Sequence, residues 1–155
     1  MWHLPETENR RVQEFKDAIQ EQKLLVAVEK LVRKAFEKAK DVNLYKRKST
    51  HQTVKVTDGY VYFLLINDSP ENKRVIIYDL MHEMGHLFDP IALDSNIDSN
   101  SEHPASERSR EIRAWAFADE EFKNHPELND YTQECTDHKR ACLLSYEVMI
   151  WPSTR

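Results

Sequence analysis

The chain has 155 residues, 40% of them hydrophobic and 32% charged, with a formal net charge of −5 at pH 7. That length and balance predict one domain, 1–155, with a core of its own, and exclude a disordered or low-complexity chain. They also speak against an electrostatic nucleic-acid binder, and no run approaches the roughly 18 uninterrupted apolar residues of a membrane span.

The first 50 residues read as a helical part. Val12, Phe15 and Ile19 share one face, and Leu25, Val28, Leu31, Val32, Ala35, Phe36 and Ala39 form a second stripe at three-and-four spacing. The phase shifts over residues 21–23, which fits one bent helix or two. The short basic run Lys46-Arg47-Lys48 reads as a solvated turn. Residues 51–67 read as a sheet region. There Val54-Lys55-Val56 alternates, Asp58-Gly59 suits a hairpin turn, and residues 60–66 form a continuous β-prone run expected to be buried on both faces. Ser69 and Pro70 predict the cap and first residue of a helix over 69–89, closed by Asp89-Pro90. The Ser/Asn/Asp-rich loop 90–105 is long for a compact domain, as active-site rims and lids often are. Two C-terminal helices fill 106–151, the first capped by Ser106 and stopped by His125-Pro126. Helices, a small antiparallel or mixed sheet, then helices again make an α+β fold.

Two cysteines are too few for a disulfide framework, and residues 1–6 lack the basic and apolar regions of a signal peptide, so a reducing cytoplasm is the expected compartment. With glycines only at 59 and 85, no Gly-rich phosphate loop can be built.

The chemistry is concentrated in His82-Glu83-Met84-Gly85-His86, a complete H-E-x-x-H. With seven histidines in the chain, chance supplies such a motif only about 0.03 times. On a helix, positions i and i+4 share a face, so His82 and His86 can reach one Zn2+ from the same side. Glu83 stands beside them as a general base for water. A third ligand is needed. The metzincin solution, a histidine six residues after the motif, is excluded because Ala92 stands there and no glycine precedes it at the required place. Glu111 is the best candidate, because it shares a helix face with Ala114, Trp115, Ala118 and Phe122, and a carboxylate on an apolar stripe is costly unless paired or metal-bound. Glu107, Glu120 and Glu121 fall less well on that face. His103 and Glu102, in the loop, are rivals for the ligand position.

Three segments resemble the ImmA/IrrE family of small cytoplasmic zinc metallopeptidases of bacteria and mobile elements. Tyr62-Phe63-Leu64-Leu65-Ile66-Asn67 resembles the strand before that family's active-site helix, residues 82–87 its H-E-x-G-H-x core, and residues 111–118 its E-x-x-A-x-x-F-A signature. The resemblance covers about residues 54–123. It implies a zincin-like minimal metallopeptidase domain of gluzincin type, one Zn2+ per chain held by His82, His86 and Glu111, and a regulatory protein such as a repressor as substrate. Trp115 stands where the family usually has Asn or Asp, Met81 where a small residue is common, and the repressor-like helix-turn-helix of some relatives is absent.

Weaker signals surround the motif. Asp79, one turn before His82, could orient its ring or be solvated. Gly85 inside a helix costs about 1 kcal/mol against Ala, which suggests close approach of another backbone or of substrate. Cys135, His138 and Cys142 share a helix but span too far to hold one zinc easily, so a buried thiol and an exposed histidine are expected. His103, His125, Tyr131 and His138 are all conceivable oxyanion stabilisers, and nothing in the sequence selects among them. The residues thus point to a zinc-dependent endopeptidase acting on a protein or peptide, without nucleic acid or membrane. The alternative is an interaction or regulatory protein on a degenerate zincin scaffold. Oligomeric state is not legible.

Overall fold

The computed structural model describes residues 4–46, 53–57, 60–67, 72–98 and 101–149, with side chains described for 4–44, 72–98 and 101–144. These residues are mostly helical, with five α-helices and one three-stranded sheet. Among them no helix is long and apolar enough to cross a membrane.

The N-terminal part resolves into two helices. The first, α1 (Pro5–Ile19), has Pro5 at its start and Glu6 and Glu8 in its first turn, where the helix dipole favours acids. It ends at Gln20, whose φ of 64° is left-handed and breaks the run. A short 3-10 turn, Gln22–Leu24, leads into α2 (Leu25–Ala35). The phase shift in the apolar pattern marks this break. The two helices pack together and are tied by Lys16–Glu29 at 2.5 Å and Arg33–Glu8 at 2.7 Å.

The helical reading of 1–50 runs too far. Residues Asp41–Lys46 form a strand, β1, so Lys46 belongs to a sheet rather than to a solvated turn. Strand β3 (Tyr60–Asn67) lies in the middle, parallel to β1 and antiparallel to β2 (Thr53–Thr57). The sheet is therefore mixed. Arg11 anchors β1 to α1 by donating to both Asp41 oxygens, at 2.9 and 3.0 Å. Thr57 pairs with Tyr60. The Asp58-Gly59 turn, Arg47-Lys48, and the burial of residues 60–66 lie outside the described residues.

The motif helix, α3 (Arg74–Leu87), starts later than 69 and ends before 89. Ser69 and Pro70 lie outside the described residues. The start is set instead by Asn72, whose Oδ1 accepts the backbone N–H of Arg74 at 3.1 Å. Arg74 is clasped by Glu21 at 2.5 Å and Glu134 at 3.0 Å, with its guanidinium 4.4 Å from the Tyr131 ring. Residues 76–85 of α3 are all buried, so this is a central helix rather than an amphipathic surface one. It packs against α2, β2, β3 and the two C-terminal helices. Its Ile77, Leu80, Met81 and Met84 meet Phe15, Leu31 and Phe36 in one core.

Helix α4 (Glu107–Lys123) begins as expected, with the Ser106 side chain accepting from the Ser109 N–H. The reach of 106–151 divides further. A 3-10 segment, Pro126–Tyr131, follows the His125-Pro126 stop, and α5 (Thr132–Met149) comes after it. The loop between α3 and α4 is pinned to α4. Arg113 donates to the buried Asp89 carboxylate at 3.0–3.2 Å, and Arg110 donates to the Ile91 carbonyl at 2.9 Å.

Candidate metal centre

Helices α3 and α4 are forced together by one missing side chain. A Cβ placed on Gly85 would sit 2.4 Å from the Ala114 carbonyl oxygen and 2.6 Å from its Cα. Both are far inside van der Waals contact, so only glycine lets the two backbones approach this closely. Of the two reasons considered for Gly85, the close approach of another backbone is the one observed.

One turn before Ala114, α4 brings Glu111 against the motif. His82 Nε2 lies 2.9 Å from Glu111 Oε1, and His86 Nε2 lies 2.6 Å from Glu111 Oε2. The three side chains each offer a ligand atom, and these atoms all lie within 4.8 Å of one another. Around a tetrahedral zinc with bonds near 2.0–2.1 Å, ligand atoms stand roughly 3.3 Å apart. The triad reaches that spacing by opening a few tenths of an ångström. The donor set, two imidazoles and one carboxylate, matches that of catalytic zinc sites that keep a fourth position open. The buried group can therefore hold a metal ion.

Electrostatics favour the same occupant. Glu83 is buried, with an oxygen 3.6 Å from His82 Nδ1. Burial pushes its carboxyl above the ordinary carboxylate range, against the opposing pull of the two imidazoles. Burial works in the same direction on Glu111, yet hydrogen bonds from His82 and His86 prevail and hold it down to about 2. For His86, burial favours the neutral ring, but Glu111 outweighs it and the net direction is up. Two carboxylates and two imidazoles thus share a dry space. Among the described residues no lysine or arginine forms an ion pair with either carboxylate.

Trp115, one turn after Glu111, lies flat on the His82 ring at 4.2 Å with 8° between the planes. His82 also meets His86 edge-on, at 4.9 Å. His86 Nδ1 is buried without a hydrogen-bond partner among the described residues.

The remaining candidates fall elsewhere. His103 is exposed in the loop, where its Nδ1 accepts from the Ala105 N–H at 3.1 Å, and Glu102 pairs with Arg108. Neither belongs to the triad. Tyr131 donates to Glu21 at 3.1 Å in the Arg74 clasp. His125 is buried against Glu121 at 2.9 Å. Asp79 does not orient His82 but pairs with His138 at 2.7 Å, so His138 is not the exposed residue expected from its helix position. Both cysteines are free and half-buried, and Cys142 lies 3.8 Å from His138 Nε2. The sequence reading also missed Glu121, which is buried and paired with Lys34 at 2.5 Å. Its distance of ten residues from Glu111, close to three helical turns, places it on the same face and could have exposed it.

No family model, curated protein or solved structure matches the chain.

Proposed function

We propose that the chain is a zinc-dependent endopeptidase that hydrolyses a peptide bond in a cytoplasmic protein. The observation that carries this reading is the convergence of His82, His86 and Glu111 on one point, with Glu83 beside them on the same buried helix. His82, His86 and Glu111 would hold one zinc ion. When bound, the ion supplies Lewis-acid chemistry, acidifying water and polarising the scissile carbonyl.

The chain's own part is proton transfer and alignment. Glu83 takes a proton from water as its oxygen attacks the carbonyl carbon, then delivers that proton to the amine nitrogen as the C–N bond breaks. A carboxyl lifted by burial is better matched to this exchange near neutral pH than a solvated one. Strand β2 is an edge of the sheet and packs against α3, so an extended peptide adding to that edge would run beside the motif helix. The ImmA/IrrE resemblance suggests a regulatory protein such as a repressor as substrate. The cytoplasm, as its compartment, belongs to the same proposal.

The test is a proteome-wide cleavage assay in the native host, comparing the zinc-loaded chain with Glu83→Gln. The variant should keep zinc and lose cleavage. Cleavage by Glu83→Gln at the parent's rate overturns the mechanism. A second reading, an interaction protein on a degenerate scaffold, draws on Trp115 filling the place of the usual polar neighbour and on the low exposure of Glu83. Zinc binding with no products from either form would favour it.

A further inference from the structure

The geometry points to Trp115 as the residue that positions His82 for metal, by stacking its indole face on the imidazole. This inference rests on the proposed zinc site and deepens it. A ligand histidine is normally held in orientation by a hydrogen bond from its second ring nitrogen to a carboxylate or carbonyl. For His82 the Glu83 carboxylate is 3.6 Å from Nδ1, too long for a good hydrogen bond. Asp79, the other acid on that face, is engaged with His138.

What fixes the ring instead is a plane. Trp115 is parallel to His82 within 8° at 4.2 Å, and it is itself buried, 2% exposed. The edge of His138 meets Trp115 at 6.3 Å and 71°, so the Asp79–His138 pair backs the indole. A metal-bound imidazole is more positive than a free one, and an indole face attracts positive charge. The stack therefore favours the metal-bound ring in addition to orienting it. The indole N–H contributes nothing here, because Nε1 is buried without a hydrogen-bond partner among the described residues. The role belongs to the ring face, and a phenyl ring can supply it.

The experiment measures Zn2+ affinity by chelator competition, and Co2+ absorption, in the full chain and in Trp115→Phe and Trp115→Leu. The Phe variant should stay close to the parent. The Leu variant, apolar but without a ring face, should bind zinc at least about 10-fold more weakly, the loss typical when a ligand's supporting partner is removed, and its Co2+ bands should shift. Leu binding as tightly as Phe with an unchanged Co2+ spectrum overturns the inference while leaving the zinc site intact. A parent chain that binds neither metal overturns the zinc reading itself. A second readout does not depend on the Leu variant folding. With Trp2 and Trp151 replaced by Phe, the emission of Trp115 should change on Zn2+ titration and saturate at one equivalent. Saturable binding with no change in emission counts against the stack.

Discussion

Gly85→Ala sets two effects of opposite sign against each other. Alanine is the better helix former by about 1 kcal/mol, so in an isolated helix the change would stabilise. In this protein the new methyl would meet the Ala114 carbonyl oxygen at 2.4 Å, its Cα at 2.6 Å and its carbonyl carbon at 2.8 Å. Ordinary contact begins near 3.4 Å, so α3 and α4 must separate locally by about 1 Å. The obstacles are backbone atoms of a helix, and no rotamer change removes them. Overpacking of this kind costs about 1–3 kcal/mol, and more where backbone must move, so the net expectation is a loss of about 1–2 kcal/mol. The same displacement carries Glu111, one turn away on α4, from His82 and His86, whose contacts of 2.9 and 2.6 Å leave little slack. Zinc affinity should fall with stability. Urea unfolding of the metal-free chain, with chelator competition on both forms, reads the two effects separately. A variant about 1 kcal/mol more stable than the parent, with unchanged zinc affinity, would refute the claim that glycine is there to admit the α4 backbone.

Glu111→Ala should abolish stoichiometric zinc while His103→Ala leaves it intact, measured by metal analysis after dialysis; the reverse pattern moves the third ligand into the loop. Glu121 is held down to about 2, first by its hydrogen bond with His125 and also by Lys34, with burial opposing. A lowered carboxyl stabilises the fold above its unfolded value near 4.5 and loses that contribution as pH falls toward 2, so the gap between parent and Glu121→Gln, at most about 3 kcal/mol, should shrink between pH 5 and pH 3 in urea titrations. His138 runs the other way. Burial disfavours its charge, but Asp79 at 2.7 Å prevails and raises its pKa to about 10. Its stabilising effect is complete below about 6.5 and is lost as pH rises through 10, so parent and His138→Gln should converge in stability from pH 6 to pH 10. A constant gap across that range would show that the pair is not ionic.

Elements with a strong period or a cap were legible. The break between α1 and α2 shows as a phase shift, β3 as an apolar β-prone run, and the start of α4 as Ser106. Those that failed depend on distant partners. Residues 41–46 carry no alternation that distinguishes a strand from the end of a helix; their pairing with β3 and the Arg11–Asp41 clasp decide it. The start of α3 looked secure at Ser69-Pro70, yet Asn72 and the ion pairs of Arg74 with Glu21 and Glu134 set the described start at Arg74. Local chemistry proposed a boundary, and contacts more than 50 residues away in sequence chose another.

The third ligand was read from one rule, that a carboxylate on a buried stripe must be paired or metal-bound. Helix α4 satisfies the rule twice, and the two solutions differ in a way the rule does not see. Glu121 meets Lys34, a permanent cation, together with His125, so its charge is balanced from within the chain. Glu111 meets only imidazoles, and Glu83 adds a second carboxylate to the same dry space. Protonating the histidines can offset those charges in the metal-free protein, as the direction for His86 indicates. Near neutral pH that arrangement spends protons to occupy a position that one divalent cation would fill while releasing them. The distinction between a structural and a metal-binding buried glutamate on this helix therefore lies in the partner's charge. It predicts that zinc uptake by the metal-free chain releases protons, measurable as buffer-dependent heat in calorimetry at pH 7. Uptake whose heat is the same in buffers of different ionisation enthalpy would mean that Glu111 and the imidazoles are held together without a shared proton, and the charge argument for the site would fail.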